Sequence, residues 1–242
     1  MSPRAVAAGG GRPARTGEDV LLDAFAARAA HALGTGLSIT GGYATLLRER
    51  FAEPLGPDGE GALDGLEGGL DRLRLFVDDL LELTGLDAAP LLRAPLAAAE
   101  PARAAAGALA GPLTDASITV ELGTLPDLVA DPALLERLFH HLLRGALAAI
   151  GDGPGRVEIA GVRRPAGVRI EVTDSGPAID AADAAELFQP FATPRGTGPA
   201  TGAGLSMPIA RRIAERHGGS VWAHTGRREG CTIVVLLPES SA

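Results

Sequence analysis

Residues 20–50 read VLLDAFAARAAHALGTGLSITGGYATLLRER, and the reading of this stretch decides the fold. Leu22, Phe25, Ala29, Leu33, Leu37, Thr40, Ala44 and Leu47 recur at steps of three and four, the period of a helix with one apolar stripe. At about 100° per residue, His31 lies roughly 200° from both Ala29 and Leu33, so it is expected to point away from that stripe. Gly34, Gly36, Gly41 and Gly42 each weaken an isolated helix by about 1 kcal/mol relative to alanine, so packing has to hold this one. Taken alone, a histidine on the wet face of such a helix is an ordinary solvated side chain.

The stretch stops at the breaker Glu53-Pro54-Leu55-Gly56-Pro57-Asp58. Beyond it, Leu63, Leu66, Leu70, Leu73, Val77, Leu80 and Thr84 alternate steps of three and four, a heptad-like seam, with Asp78, Asp79 and Glu82 expected on the opposite, wet face. Two helices of matched length about a short breaker predict an antiparallel hairpin over residues 18–88. A lone hairpin exposes the outer side of its seam. Pairing of two copies into a four-helix bundle covers that side, which predicts a homodimer; the alternative is packing on the C-terminal part of the same chain.

Outside the hairpin, residues 1–17 are rich in Gly, Pro and Arg and read as a disordered tail. Pro90 and Pro95 block helix continuation and mark a domain boundary, with a second domain over 89–240. There helix and strand alternate. A helix is expected from about Ala97 to Ala110, strands over Ile118 to Leu122 and Leu128 to Ala130, and a helix opening at Asp131-Pro132 and running to about Ile150. A hairpin follows around Pro165-Ala166-Gly167, then a short helix near Ala181 to Phe188 and a helix from about Leu205 to His217. Strands Ser220 to His224 and Cys231 to Leu236 close the chain. The expected class is α+β: a helical hairpin followed by an α/β sandwich with helices on one face of a mixed sheet.

Composition narrows the function. The 242 residues carry a formal net charge of −8, which argues against nucleic acid and against a basic membrane-binding face. Cys231 is the single cysteine, so neither a disulfide framework nor a cysteine metal site is expected. No apolar run reaches membrane-spanning length, and a cytoplasmic protein is the expectation.

Several short motifs, in order, resemble a bacterial sensor histidine kinase core. Ala30-His31-Ala32-Leu33 with Gly36-Leu37 resembles the segment around the phosphoacceptor histidine. Val129-Ala130-Asp131-Pro132 through Leu142-Leu143-Arg144-Gly145-Ala146-Leu147 follows the family's asparagine-bearing helix. Asp174-Ser175-Gly176-Pro177-Ala178-Ile179 is similar to the Asp-x-Gly-x-Gly adenine loop, with Phe188 and Phe191 at the phenylalanine box. Gly202-Ala203-Gly204-Leu205-Ser206, then Ile213 to Gly219, resemble the glycine-rich lid and the helix after it, and Gly230-Cys231-Thr232 the last glycine box. The resemblance implies a dimerisation and histidine-phosphotransfer hairpin followed by an ATPase domain of Bergerat type.

It also implies roles. His31 would be the phosphoacceptor, its imidazole nitrogen attacking a phosphoryl group. Asp174 would accept a hydrogen bond from the adenine amino group, and Gly176 would let the backbone approach the base. Gly202, Gly204 and Leu205 would lie where phosphates meet a helix N-terminus. ATP would be the cofactor, and a response-regulator receiver domain the partner, with an upstream sensor or kinase beside it. His217 and His224 are expected to be structural.

The departures cluster on the nucleotide side. Gly145 stands where the family carries its magnesium-binding asparagine, so Mg²⁺ binding should be weak or absent. Ala178 and Ser206 replace glycines, His141 replaces another asparagine, and Ala32 replaces the acid beside the histidine. Arg137 and Arg144 would be left as countercharges for phosphates. These changes leave three readings: an active histidine kinase, a histidine phosphotransfer protein on a kinase scaffold, or a non-catalytic dimeric pseudokinase scaffold.

Overall fold

The computed structural model describes residues 17–151, 153–192, 204–226 and 229–239. The stretch before Gly17 and the lid glycine Gly202 lie outside these residues.

Helix α1 (Gly17–Gly85) is broken at Gly56, whose φ of 64° and ψ of −175° reverse the chain between Pro54 and Pro57. The two arms return antiparallel. Arg48 reaches Asp64 (2.7 Å) and Glu67 (2.8 Å), Gly41 lies against Arg74, and Gly34 against Val77. By this register His31 stands three residues beyond the Gly34–Val77 contact, and it is exposed.

The interior line of the first arm differs from the expected stripe. Ala30, Gly41 and Ala44 are buried, while Leu33 is 53% exposed and Leu47 39%. Small residues face the second arm because the arms approach closely. Gly41 lies under the Arg74 guanidinium, which would have to swing aside for a Cβ there. In the second arm the seam divides. Leu63, Leu70 and Val77 are buried in the hairpin, whereas Leu66 and Leu73 remain outside at 42% and 51% exposure.

After the hairpin, β1 (Ala94–Ala97) pairs antiparallel with β3 (Asp127–Ala130) as a small sheet of its own. β1 falls in the stretch read as a domain boundary; Pro95 is compatible with it because each strand of a two-stranded sheet is an edge strand, where a missing N–H is tolerated. Helix α2 (Ala99–Ala108) is followed directly by a short helix, α3 (Ala110–Asp115), which the sequence reading did not anticipate. The main sheet contains β2 (Ile118–Leu122), β4 (Gly155–Arg164), β5 (Gly167–Asp174), β6 (Ser220–His224) and β7 (Thr232–Leu237) in the order β2-β4-β5-β7-β6. Only the β2–β4 pair is parallel.

Helix α4 (Pro132–Ile150) carries the core. Leu135, Leu138, Phe139 and Leu143 have no exposed surface, and each such side chain stabilises the fold by roughly 1.5–3 kcal/mol. Its N-cap Asp131 accepts from the Leu134 amide at 3.1 Å and the Leu92 amide at 2.9 Å. Burial works against that carboxylate, but the backbone donors Leu92, Leu134 and Ala133 leave its pKa lowered overall. The Asp131 amide donates to Nε2 of His217, and Nδ1 of the same ring lies 2.9 Å from the Ile213 carbonyl. Burial lowers the pKa of His217, in keeping with a neutral ring that joins the start of α4 to the end of α6. Short helix α5 (Ala181–Glu186) and helix α6 (Ser206–Arg216) complete the domain. Among the described residues no helix is long and apolar enough to cross a membrane.

Candidate functional site

The end of β5 and the C-terminal half of α4 form one wall of an open cleft. Ala178, Ile179 and Leu187 line another side, and Ser206 and Met207 bring the first turn of α6 to its rim. The walls are largely aliphatic. Asp174 enters from the strand end with only 7% of its surface exposed. Its Oδ1 accepts from the Gly176 amide at 2.8 Å and the Cys231 amide at 3.3 Å, which fixes the carboxylate's direction.

The glycines around Asp174 have separate duties. A Cβ at Gly176 would lie 3.0 Å from the Ala149 carbonyl and 2.9 Å from Asp174 Oδ1, so the loop sits flush on α4 only without one. Gly230, at φ 73°, would overlap the Asp174 carbonyl if it bore a side chain. Gly204, at φ 66°, packs against the Phe191 and Ala192 backbone and lines the cleft. Of the expected nucleotide residues, then, Asp174 and Gly204 face the cleft and Gly176 backs it. Leu205 is 1% exposed, fills the core, and does not line the cleft.

At Gly145 the structure adds what the sequence did not contain. This residue faces the cleft, but a Cβ there would run into the methyl group of Met207, whose sulfur would be 3.5 Å away. The methionine occupies the volume of the missing side chain. Magnesium requires about six oxygen ligands in near-octahedral geometry, and a glycine under a thioether offers no side-chain oxygen. The residues at this position do not fit the metal. A purine base, with an apolar body and an amino edge, does fit a buried carboxylate between aliphatic walls.

Arg137, expected to serve phosphates, is committed elsewhere, and Arg144, which does line the cleft, is held by the hairpin. Arg144 makes two parallel bonds to Asp79, Nη1–Oδ1 at 2.6 Å and Nη2–Oδ2 at 3.0 Å, with both side chains at most 10% exposed. Arg137 donates to Glu82 at 2.8 Å, and His141 Nε2 lies 3.0 Å from the same oxygen, off the direction of a good hydrogen bond. Asp79 and Glu82, expected on a wet face, are instead where the hairpin docks on α4. Burial pushes the Glu82 pKa up, but His141 and Arg137 together outweigh it and hold the carboxyl at about 2. Asp79, Glu82 and His141 bring their ligand atoms within 4.8 Å of one another, yet Arg137 and Arg144 already neutralise both carboxylates. Further along, Asp87 pairs with Arg212, Arg216 reaches the Ala89 carbonyl, and Phe76 meets the Phe191 ring at 6.1 Å. One signal for this docking was visible in the sequence: Arg137, His141 and Arg144 share a face of α4, opposite an acidic pair three residues apart.

Residues 130–241 match the family described as histidine kinase-, DNA gyrase B- and HSP90-like ATPase. The C4-dicarboxylate transport sensor protein DctS of Rhodobacter capsulatus is 31% identical over 244 residues, covering 93% of this chain and 35% of the relative. Among solved structures, full-length ShkA in complex with AMPPNP superposes with a TM-score of 0.70 at 23% identity, over 91% of this chain and 46% of that one. The histidine kinase ThkA, solved in complex with the response regulator protein TrrA, gives 0.64 at 22% identity over 91% of this chain and 62% of its own.

The chain is built as a bacterial sensor histidine kinase core. Hairpin and ATPase-type sandwich follow in the order the motifs imply, so the expected fold class holds. The chain spans about a third of the length of DctS and less than two thirds of either solved chain.

Proposed function

We propose that this histidine kinase core carries a phosphoryl group on His31 and exchanges it with the aspartate of a response-regulator receiver domain. The observation that carries this reading is the exposure of His31 on a hairpin arm, with its neighbours Ala30 turned inward and Ala32 outward. A neutral imidazole nitrogen attacks the phosphorus of an aspartyl phosphate. The N–P bond forms, the acyl P–O bond breaks, the aspartate leaves as carboxylate, and the second ring nitrogen releases its proton to water. The receiver supplies its own metal and acid residues, so neither Gly145 nor Ala32 stands in the way of this step. The complex of ThkA with its response regulator supports a receiver as partner; an upstream sensor or kinase would supply the phosphoryl group when flow runs the other way.

The protein acts as a homodimer, because Leu66 and Leu73 of the seam are left outside the hairpin and a second copy covers them. ATP binds through its base at Asp174, with Mg²⁺ use weakened by Gly145 and Met207. Incubation with a phosphorylated receiver should label the wild-type chain, and His31→Ala should abolish labelling without altering the circular dichroism spectrum. Label persisting in His31→Ala refutes the assignment. The Met207 contact favours one further reading, a non-catalytic dimeric scaffold regulating a partner kinase or receiver. That reading predicts that His31→Ala leaves signalling in cells intact.

A further inference from the structure

Arg144 belongs to two places at once. It lines the cleft beside Gly145, and its guanidinium is held in both arms of the Asp79 carboxylate on the hairpin. The hairpin touches the cleft's surroundings a second time where Phe76 packs on Phe191, whose neighbour Ala192 lines the cleft. Of the two arginines that line the cleft or stand near it on α4, Arg137 is turned to Glu82. With no side-chain oxygen at Gly145, a phosphate chain entering the cleft finds Arg144 as the one cationic residue in its lining among the described residues.

We propose that Arg144 is shared, so that an anionic purine ligand in the cleft and docking of the hairpin through Asp79 compete for one guanidinium. This rests on the purine reading of the cleft. One planar fork cannot give the same two N–H groups to a carboxylate and to a phosphate. Phosphate binding therefore loosens the hairpin, and by linkage a loosened hairpin binds phosphate more tightly. A nucleoside, which presents the base alone, leaves Asp79 in possession. The device replaces a metal-held nucleotide with one whose phosphates are read by the state of the hairpin, on the arm facing His31. The Asp87–Arg212 pair lies outside the cleft lining and keeps the chain's two parts tethered while the Asp79 contact opens.

The test measures binding of ATP and of adenosine in EDTA by calorimetry, alongside the distance between spin labels at Arg72 and Glu136. In the wild type, ATP lengthens the label distance and adenosine does not. Asp79→Asn lengthens it without ligand and raises ATP affinity about tenfold, with adenosine affinity unchanged. Arg144→Gln also lengthens it and abolishes any preference for ATP over adenosine. The exchange Asp79→Arg with Arg144→Asp restores the pair with its charges reversed; it keeps the hairpin docked and shows no preference for ATP, which separates loss of the arginine from loss of folding. Equal ATP affinity in wild type and Asp79→Asn, or a label distance indifferent to ATP, overturns the competition. Failure of both ligands to bind overturns it together with the purine reading, while receiver transfer through His31 stands or falls by its own assay.

Discussion

At one level of the hairpin the two arms are put to opposite uses. On the first, His31 is turned to solvent, in a run whose buried positions are Ala30, Gly41 and Ala44. On the second, at about the same height by the register of Gly34 on Val77, Asp79 and Glu82 are locked to Arg144, Arg137 and His141 of α4. The difference teaches how one element can present a reactive side chain and still be fixed to its partner domain. An outward histidine needs only a helix held by small residues behind it. Docking needs each carboxylate to meet a cation, because a buried carboxylate left alone costs several kcal/mol.

The strongest way to break the contrast is to remove what holds the arms together. Leu70→Ala, at a buried seam position, should cost about 2–5 kcal/mol in urea unfolding monitored on the hairpin. Leu73→Asp, three residues on and half exposed, should leave the hairpin folded. It should instead weaken self-association at least about tenfold, roughly 1.4 kcal/mol, in sedimentation equilibrium. Equal self-association of both proteins would place the outer leucines in no dimer interface. The mildest change acts on the docked arm by pH. Glu82 has its carboxyl held at about 2 instead of 4.5, so its contribution is complete above about 4.5 and is lost as pH falls towards 2. Glu82→Gln should remove that contribution at every pH, so that docking at pH 7 is already weakened and the further loss across that window is flattened, read from the same pair of spin labels.

How far the sequence could be read follows from the range of each interaction. The period of Leu63 to Leu80, the breaker at Gly56 and the Asp131-Pro132 helix start are local signals, and the structure follows all three. Asp174 and the glycines around it were legible because a turn against a helix backbone leaves few residue choices. The small sheet containing β1 was not legible, since a strand with a proline reads as a domain boundary until β3 is known to pair with it. Nor was the true interior line of the first arm. Periodicity marks apolar residues, and only the fold shows that Gly41 is buried against the Arg74 side chain of the second arm.

By itself, then, the sequence determined that a helical hairpin precedes an α/β sandwich, because helix period and chain reversal are set within a few residues. The tertiary structure alone decided that Met207 fills the place left at Gly145. It alone decided that Arg144 answers to Asp79 sixty-five residues away. Both depend on which side chains meet across the fold; spacing marks a basic face and an acidic pair but does not say that they meet.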